Sequence, residues 1–194
     1  MKVEAKEKDS RRVTAERNRE AILDAAEELL RSGRGITVSA LANESGVSRV
    51  TVYSHFPETE QIVEAVVQRS VLRATAAIEG AHPDEGPADA ALARVVAAAW
   101  SEIGRDSAIA QGASTYLSAD AMHRAHAKAR ELVSRLLERG RSDGTFRTDL
   151  SSEWLLTCAL SLIHASHDAV RAGRVRSDTA LDELTTTLGE IFAP

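Results

Sequence analysis

Residues 37–56 read TVSALANESGVSRVTVYSHF and predict two short helices joined by a tight turn. Thr37 is a good N-cap, and Leu41 is spaced to face inward from the first helix. Gly46 marks the turn, because glycine adopts a positive φ without steric cost. Ser48 is then a suitable cap for the second helix. This pattern is typical of a helix-turn-helix.

The second predicted helix has one inward face and a polar outer face that suits DNA. Val52 and Phe56 are four residues apart and therefore point inward together. A helix in the major groove needs short side chains near its start and donors that reach bases and phosphates. Arg49 suits a guanine edge. Val50 and Thr51 offer methyl groups to thymine, and Tyr53 and His55 suit phosphate oxygens.

A longer motif surrounds this stretch. Its residues are Ile22, Leu23, Asp24, Ala25, Ala26, Thr37, Val38, Leu41, Ala42, Gly46, Val47, Ser48, Tyr53, His55, Phe56 and Pro57. The set resembles the tetracycline-repressor (TetR) family over the first third of the chain. The resemblance implies an all-α homodimer. An N-terminal three-helix helix-turn-helix domain would be joined by a long helix to a C-terminal helical ligand-binding and dimerisation domain.

The resemblance also extends the set of candidate DNA contacts. The family commonly has a basic residue where Ser39 stands and a lysine where Thr59 follows Glu58. Both positions are therefore included although their side chains are uncharged. The full predicted DNA-binding set is Thr37, Ser39, Ser48, Arg49, Val50, Thr51, Tyr53, Ser54, His55 and Thr59.

The composition favours a helical intracellular protein. The chain has 194 residues, 43% of them hydrophobic but only 4% aromatic, which indicates helices packed through alanine and leucine. A net charge of −5 argues against a general nucleic-acid coat protein. Cys158 is the single cysteine and cannot form an internal disulfide, and no stretch reads as a signal peptide or membrane span. We therefore expect a cytoplasmic protein.

The hydrophobic pattern divides the chain into four segments. Residues 1–13 alternate acids and bases, so we expect a disordered arm whose arginines follow DNA. Residues 14–57 form the predicted helix-turn-helix domain, and residues 58–80 form an amphipathic connecting helix. The breaker cluster HPDEGP follows, and residues 81–194 form the predicted ligand-binding and dimerisation domain.

The C-terminal segment offers a dimer interface and candidate pocket residues. A helix after Ser151 is apolar on almost every side and needs cover from a second subunit, beside a last helix with one apolar stripe. The predicted interface residues are Leu155, Leu162, Ile163, Leu181, Leu184 and Leu188. The predicted ligand-binding residues are Trp100, Tyr116, Met122, His126, Trp154 and Cys158, although core packing is an equally ordinary role for such side chains.

The sequence predicts a regulator of transcription, a repressor released from a palindromic operator by a small molecule. Metal sensing is one alternative, because His123 with His126, and His164 with His167, are spaced to approach one ion. A helical dimer that binds a protein partner, with a decayed DNA-binding domain, is another, which the changes at Ser39 and Thr59 permit. No phosphate-binding glycine loop or nucleophile elbow is present, so we expect neither an enzyme nor a cofactor.

Overall fold

The computed structural model describes residues 2–194, with side chains described from Asp9 onward. Over this part of the chain the fold is all-α, which confirms the predicted class, and it contains nine helices and no strand. The helices are α1 Lys2–Arg31, α2 Val38–Ser45, α3 Arg49–His55, α4 Thr59–Gly80, α5 Ala88–Ala113, α6 Ala119–Ala125, α7 Ala127–Ser142, α8 Ser152–Arg171 and α9 Ala180–Phe192.

The chain divides into two compact units. The first, called the head unit, contains the residues up to Arg69 together with Ala108–Ala119. The second, called the C-terminal unit, contains Ser70–Ser107 and Asp120–Pro194. The sequence-based boundaries treat every domain as one continuous stretch, whereas the head unit takes a second stretch from the end of α5 and the residues that follow it.

The head unit has one shared apolar core. Helices α1, α2, α3 and α4 each contribute side chains that are almost fully buried. These include Ile22, Leu23, Ala26, Leu29, Leu30, Leu41, Val52, Phe56, Ile62, Val63 and Val66. Because α2 and α3 have only eight and seven residues, neither is stable alone in water. Burial of Leu41 and Val52 against α1 therefore holds the short helices in place.

An ion-pair network joins α1 to α4 within the head unit. The Arg69 guanidinium donates to Glu20 at 3.0 Å and to Glu27 at 2.8 Å, and it also pairs with Asp24. Glu27 is buried and accepts a second arginine, Arg31, at 2.8 Å. A buried carboxylate needs such partners, because an unpaired charge in this environment is strongly destabilising. The network fixes the middle of α4 against α1.

Helix α1 begins at Lys2, so its backbone is helical through the segment for which the sequence predicted a disordered arm. From Asp9 to Arg17 every side chain is exposed, and the apolar face begins further along the helix. The Arg12–Asp9 pair at 3.2 Å is of the i, i+3 type that supports an exposed helix. This local contribution is small, about 0.2–0.5 kcal/mol per pair.

The C-terminal unit packs helices α5, α7, α8 and α9 around a second core. Leu155, Leu156 and Ile163 of α8 are buried in it, as are Leu184 and Leu188 of α9. Its loops are held by arginines that donate to backbone carbonyls: Arg94 to Ala81 and His82, Arg139 to Pro83 and Gly86, and Arg141 to Thr148 and Leu150. Across the described residues, every helix is too short or too polar to cross a bilayer.

Candidate nucleic-acid interface

Helix α2 starts and stops where its sequence requires. The Thr37 hydroxyl oxygen accepts the backbone N–H of Ala40 at 3.1 Å, which is the N-cap bond predicted from the sequence. At the other end Gly46 has φ +72°, and its N–H donates to the Ala42 carbonyl at 3.1 Å. An L side chain would be strained in this left-handed conformation. The turn after α2 is therefore fixed by its glycine.

Helix α3 is also capped by the residue that precedes it, Ser48. The Ser48 hydroxyl oxygen accepts the backbone N–H of Thr51 at 3.1 Å, and the two hydroxyl groups lie 2.8 Å apart. Val52 is fully buried, and Phe56 is buried beneath the Arg19 guanidinium, 5.4 Å from its ring centroid. One face of α3 is thus committed to the core. The opposite face must be presented outward.

The outward face of α3 combines a cation with unusually exposed apolar groups. The side chain of Val50 is 78% exposed and that of Tyr53 is 56% exposed. Arg49 is also exposed, and it makes no ion pair or hydrogen bond with the described residues. Because the Val50 side chain is largely exposed, it buries little apolar surface and adds little to the stability of the head unit. The outward face of α3 thus exposes one cation and two largely apolar side chains.

The other predicted DNA contacts lie around this face. Thr37, Ser48 and Ser54 are exposed, and Ser39, Thr51, His55 and Thr59 are half-buried. The hydroxyl of Thr51 is engaged with Ser48, and the hydroxyl of Ser54 donates to the Thr51 carbonyl at 2.8 Å. All ten residues belong to the head unit. Their contacts with DNA stay a prediction.

The six predicted ligand-binding residues are distributed over both units. Trp100, Met122, His126 and Cys158 are half-buried residues of the C-terminal unit. Trp154 belongs to the same unit but is 55% exposed in the first turn of α8. Tyr116 belongs to the head unit, where its hydroxyl is bonded to the backbone of Ile36. A pocket formed by these residues therefore stays a prediction.

The predicted interface residues differ in what they contact. Leu155, Ile163, Leu184 and Leu188 are buried in the core of their own C-terminal unit. Leu162 and Leu181 are only partly buried at the edge of that core. Trp154 and Leu160 leave further apolar surface on α8 accessible. Contact of this outer surface with a second subunit stays a prediction.

An aromatic pair lies inside the C-terminal unit. The His167 ring stacks on Trp100 at a centroid distance of 3.7 Å, and its Nε2 is 2.9 Å from the Trp100 carbonyl oxygen. Gly104 makes room for the ring, because a Cβ there would lie 2.5 Å from the His167 Cε1. Desolvation lowers the pKa of His167 below its ordinary range, against an opposing effect of the hydrogen bond to Trp100.

This lowered pKa predicts a loss of stability on mild acidification. The unfolded chain binds the His167 proton at about pH 6.5, before the folded chain does, so unfolding is favoured as the pH falls from 7 towards 5. We expect His167→Gln to show a smaller drop in Tm between pH 7.5 and 5.5 than the unsubstituted chain. A residual drop remains, since desolvation also lowers the pKa of His164. Equal drops in Tm in both proteins would show that His167 does not contribute to the loss of stability.

The histidine pairs proposed as metal ligands do not form a metal centre with other residues. Within the described residues, no group of three or more His, Cys, Asp or Glu side chains is arranged to hold an ion. His126 instead lies at the start of α7, with Nδ1 2.7 Å from the Met122 carbonyl oxygen. This is an ordinary role for a partly buried histidine.

Sequence reasoning missed the second stretch of the head unit. Ile109 and Ala113 are almost fully buried, and both belong to the part of α5 assigned to the head unit. The sequence shows only that these residues are apolar and helical. Nothing in a local pattern distinguishes packing against a neighbouring helix from packing against α1, which is about 80 positions earlier.

Comparisons with known proteins find similarity to one family of bacterial regulators. The family model described as "Bacterial regulatory proteins, tetR family" matches residues 22–66. The chain is 42% identical over 81 residues to the HTH-type transcriptional repressor LfrR of Mycolicibacterium smegmatis. That alignment covers 42% of this chain and 43% of the length of LfrR.

Two solved structures resemble nearly the whole chain. LfrR from Mycobacterium smegmatis, in complex with proflavine, is 27% identical with a TM-score of 0.69, over 89% of this chain and 94% of LfrR. A TetR family transcription regulator from Marinobacter aquaeolei has a TM-score of 0.77 at 15% identity, over 94% and 98% of the two chains, and supports the fold alone. The residues that form the helix-turn-helix thus match the tetR family of bacterial regulatory proteins, and the fold is similar to that of LfrR over most of the chain.

Proposed function

We propose that this protein is a ligand-responsive transcriptional repressor that binds a palindromic operator as a homodimer and is released by a small molecule. The outward face of α3 carries the proposal. It presents the exposed side chains of Arg49, Val50 and Tyr53 on a helix whose other face is buried. A helix of this kind fits the major groove, where its N-terminal residues contact base edges.

Each exposed group has a distinct role in the proposed complex. Arg49 is the first residue of α3 and donates two bonds to the O6 and N7 atoms of a guanine. Tyr53 lies one turn further and donates to a phosphate, which positions the helix without recognising sequence. His55, in the last turn, is placed for a second phosphate contact.

Val50 is the proposed contact to thymine. Of the two residues with suitable methyl groups, Thr51 is half-buried and its hydroxyl is bonded to Ser48, whereas Val50 is almost fully exposed. The isopropyl group of Val50 would pack against the C5 methyl of thymine. Burial of one methyl contributes about 0.8 kcal/mol, which corresponds to about fourfold in affinity for each half-site.

Replacement of thymine by deoxyuridine tests this proposal, because it removes only the methyl group. We expect one position in each half-site at which deoxyuridine weakens binding of the unsubstituted protein by about fourfold per half-site. The same change should leave binding by Val50→Ala almost unaltered, since two groups in contact do not act additively. Deoxyuridine outside the half-sites serves as the control. Equal losses for both proteins at every thymine would contradict a role for Val50.

A palindromic operator has two half-sites, so the proposal requires two head units and therefore a dimer. Its support is the outer surface of α8 and α9, where Trp154 is exposed and Leu162 and Leu181 are only partly buried. An exposed tryptophan on an otherwise well-packed helix is typical of an interface anchor. We propose that two copies of this surface pack together about a twofold axis, as a symmetric interface requires.

A small organic molecule is the proposed effector. The support comes from LfrR, which has been solved in complex with proflavine, a planar aromatic cation, and which resembles this chain over most of its length. The half-buried Trp100 and Met122 of the C-terminal unit are suitable side chains for such a ligand. Release from DNA requires that the ligand bind the non-binding state more tightly than the DNA-binding state.

A further inference from the structure

The stretch Ala108–Ala119 is an integral part of the head unit. Ile109 and Ala113 are at most 1% exposed. Gly112 lies directly against Leu30 of α1, where an added Cβ would be 2.7 Å from the Leu30 Cδ2. Only glycine allows this close approach without displacing Leu30. The stretch thus packs tightly on the last turn of α1.

Tyr116 extends this contact to the segment that precedes α2. Its hydroxyl oxygen accepts the backbone N–H of Ile36 at 3.1 Å, across 80 positions of sequence. The earlier amides of the segment bond to α1 itself, Gly33 to the Leu30 carbonyl at 3.1 Å and Arg34 to the Leu29 carbonyl at 2.9 Å. Ile36 is buried, and its amide bonds to Tyr116 instead of to the end of α1. The hydroxyl of Tyr116 therefore satisfies an amide that α1 does not.

The position of Ile36 matters because the next residue is Thr37, the N-cap of α2. The direction in which the chain enters α2 is set at this point. Helix α3 follows α2 through the rigid turn at Gly46, and Arg34 pairs with Glu44 near the end of α2 at 3.2 Å. A shift at Ile36 would be passed to α3 through these short, fixed connections.

We infer that Tyr116 is a positioning residue for DNA recognition, which holds the start of α2 and thereby the orientation of α3 without contacting DNA. This inference rests on the proposed function. It gives a role in DNA binding to Tyr116, which lies 60 positions beyond the helix-turn-helix. Loss of one hydrogen bond to a partly buried amide costs about 1 kcal/mol, which corresponds to about fivefold in affinity for each head.

The two tyrosines of the chain, Tyr53 and Tyr116, provide a matched experiment. Each is changed to phenylalanine in the full-length protein, and binding to a selected operator is measured from low to moderate salt. We expect Tyr116→Phe to bind at least fivefold more weakly with an unchanged salt slope, because no phosphate contact is lost. Tyr53→Phe removes an uncharged phosphate contact, so it should also bind more weakly with an unchanged salt slope, but it should leave the Ile36 amide as protected as in the unsubstituted protein.

Amide hydrogen exchange supplies a second measurement that needs no DNA. The Ile36 amide should exchange about fivefold faster in Tyr116→Phe than in the unsubstituted protein, with the α8 amides unchanged. For Tyr116→Phe, operator affinity equal to that of the unsubstituted protein, a reduced salt slope, or unaltered protection of Ile36 would each overturn the inference. If the unsubstituted protein itself selects no DNA, the proposed function fails first, and the positioning role fails with it.

Discussion

Arg49→Ala is expected to weaken operator binding by about 1.5 to 4 orders of magnitude. A good bidentate contact between arginine and guanine contributes about 1–3 kcal/mol, and a symmetric dimer loses it at both half-sites. The folded protein should be unaffected, because the side chain is exposed and unbonded within the described residues. Fluorescence anisotropy with a labelled operator at fixed salt measures the change.

Two variants separate base recognition from charge in this experiment. Arg49→Lys keeps the positive charge but not the planar pair of donors, so nonspecific affinity should persist while preference for the operator is lost. Arg174→Ala removes an exposed arginine of the C-terminal unit and should bind normally. Operator binding by Arg49→Ala at the level of the unsubstituted protein would exclude α3 as the recognition helix.

Asp106→Ala is expected to lower the free energy of unfolding by about 3–5 kcal/mol. The Asp106 side chain is 8% exposed and accepts Arg73 at 2.9 Å and the Ser70 hydroxyl at 2.5 Å. These bonds join α4 to α5 within the C-terminal unit. Without the carboxylate, the half-buried Arg73 guanidinium loses its ion pair with Asp106, and the Ser70 hydroxyl loses its acceptor. Urea unfolding followed by circular dichroism measures the loss.

The control for this variant is an ion pair of similar length at the surface. Asp168 accepts Arg171 at 2.7 Å, but both side chains are about half exposed. Asp168→Ala should therefore cost less than about 1 kcal/mol. Combining Arg73→Ala with Asp106→Ala should recover part of the loss, since neither charge is then left alone. A cost for Asp106→Ala similar to that for Asp168→Ala would show that the buried pair contributes little.

The helix-turn-helix could be predicted from the sequence because its signals are local. Thr37, Gly46 and Ser48 act on backbone groups no more than four positions away, and each makes the cap or turn that its residue type predicts. The inward side chains Leu41, Val52 and Phe56 also followed from helical spacing. Local chemistry was sufficient for the part of the chain that we propose to bind DNA.

The discontinuous head unit could not be predicted in this way. The bond between Ile36 and Tyr116 joins residues 80 positions apart, and neither residue type indicates such a partner. The start of α1 was also missed, because residues 1–13 have no apolar face, and the helix from Lys2 is an extension of a helix that is anchored further on. Tertiary packing decides the first case, and propagation of a helix from its anchored part decides the second.

The dimer surface shows the limit of hydrophobic periodicity. Leucines that pack in the core and leucines that would face a partner share the same residue type and helical spacing. The structure separates them by burial, placing Leu155 and Leu188 in the core and leaving Leu162 and Leu181 at its edge. The sequence indicated an excess of apolar surface on α8. It did not show which side of the helix packs in the core and which side is left accessible.

Selection from a pool of random duplex DNA at moderate salt tests the proposed function most directly. Duplexes retained by the purified protein are sequenced. We expect enrichment of an inverted repeat with half-site centres one turn of B-DNA apart, about 34 Å, as two copies of α3 in one dimer require. The absence of any enriched sequence from a folded, dimeric protein would contradict the account and favour a helical dimer that binds a protein partner.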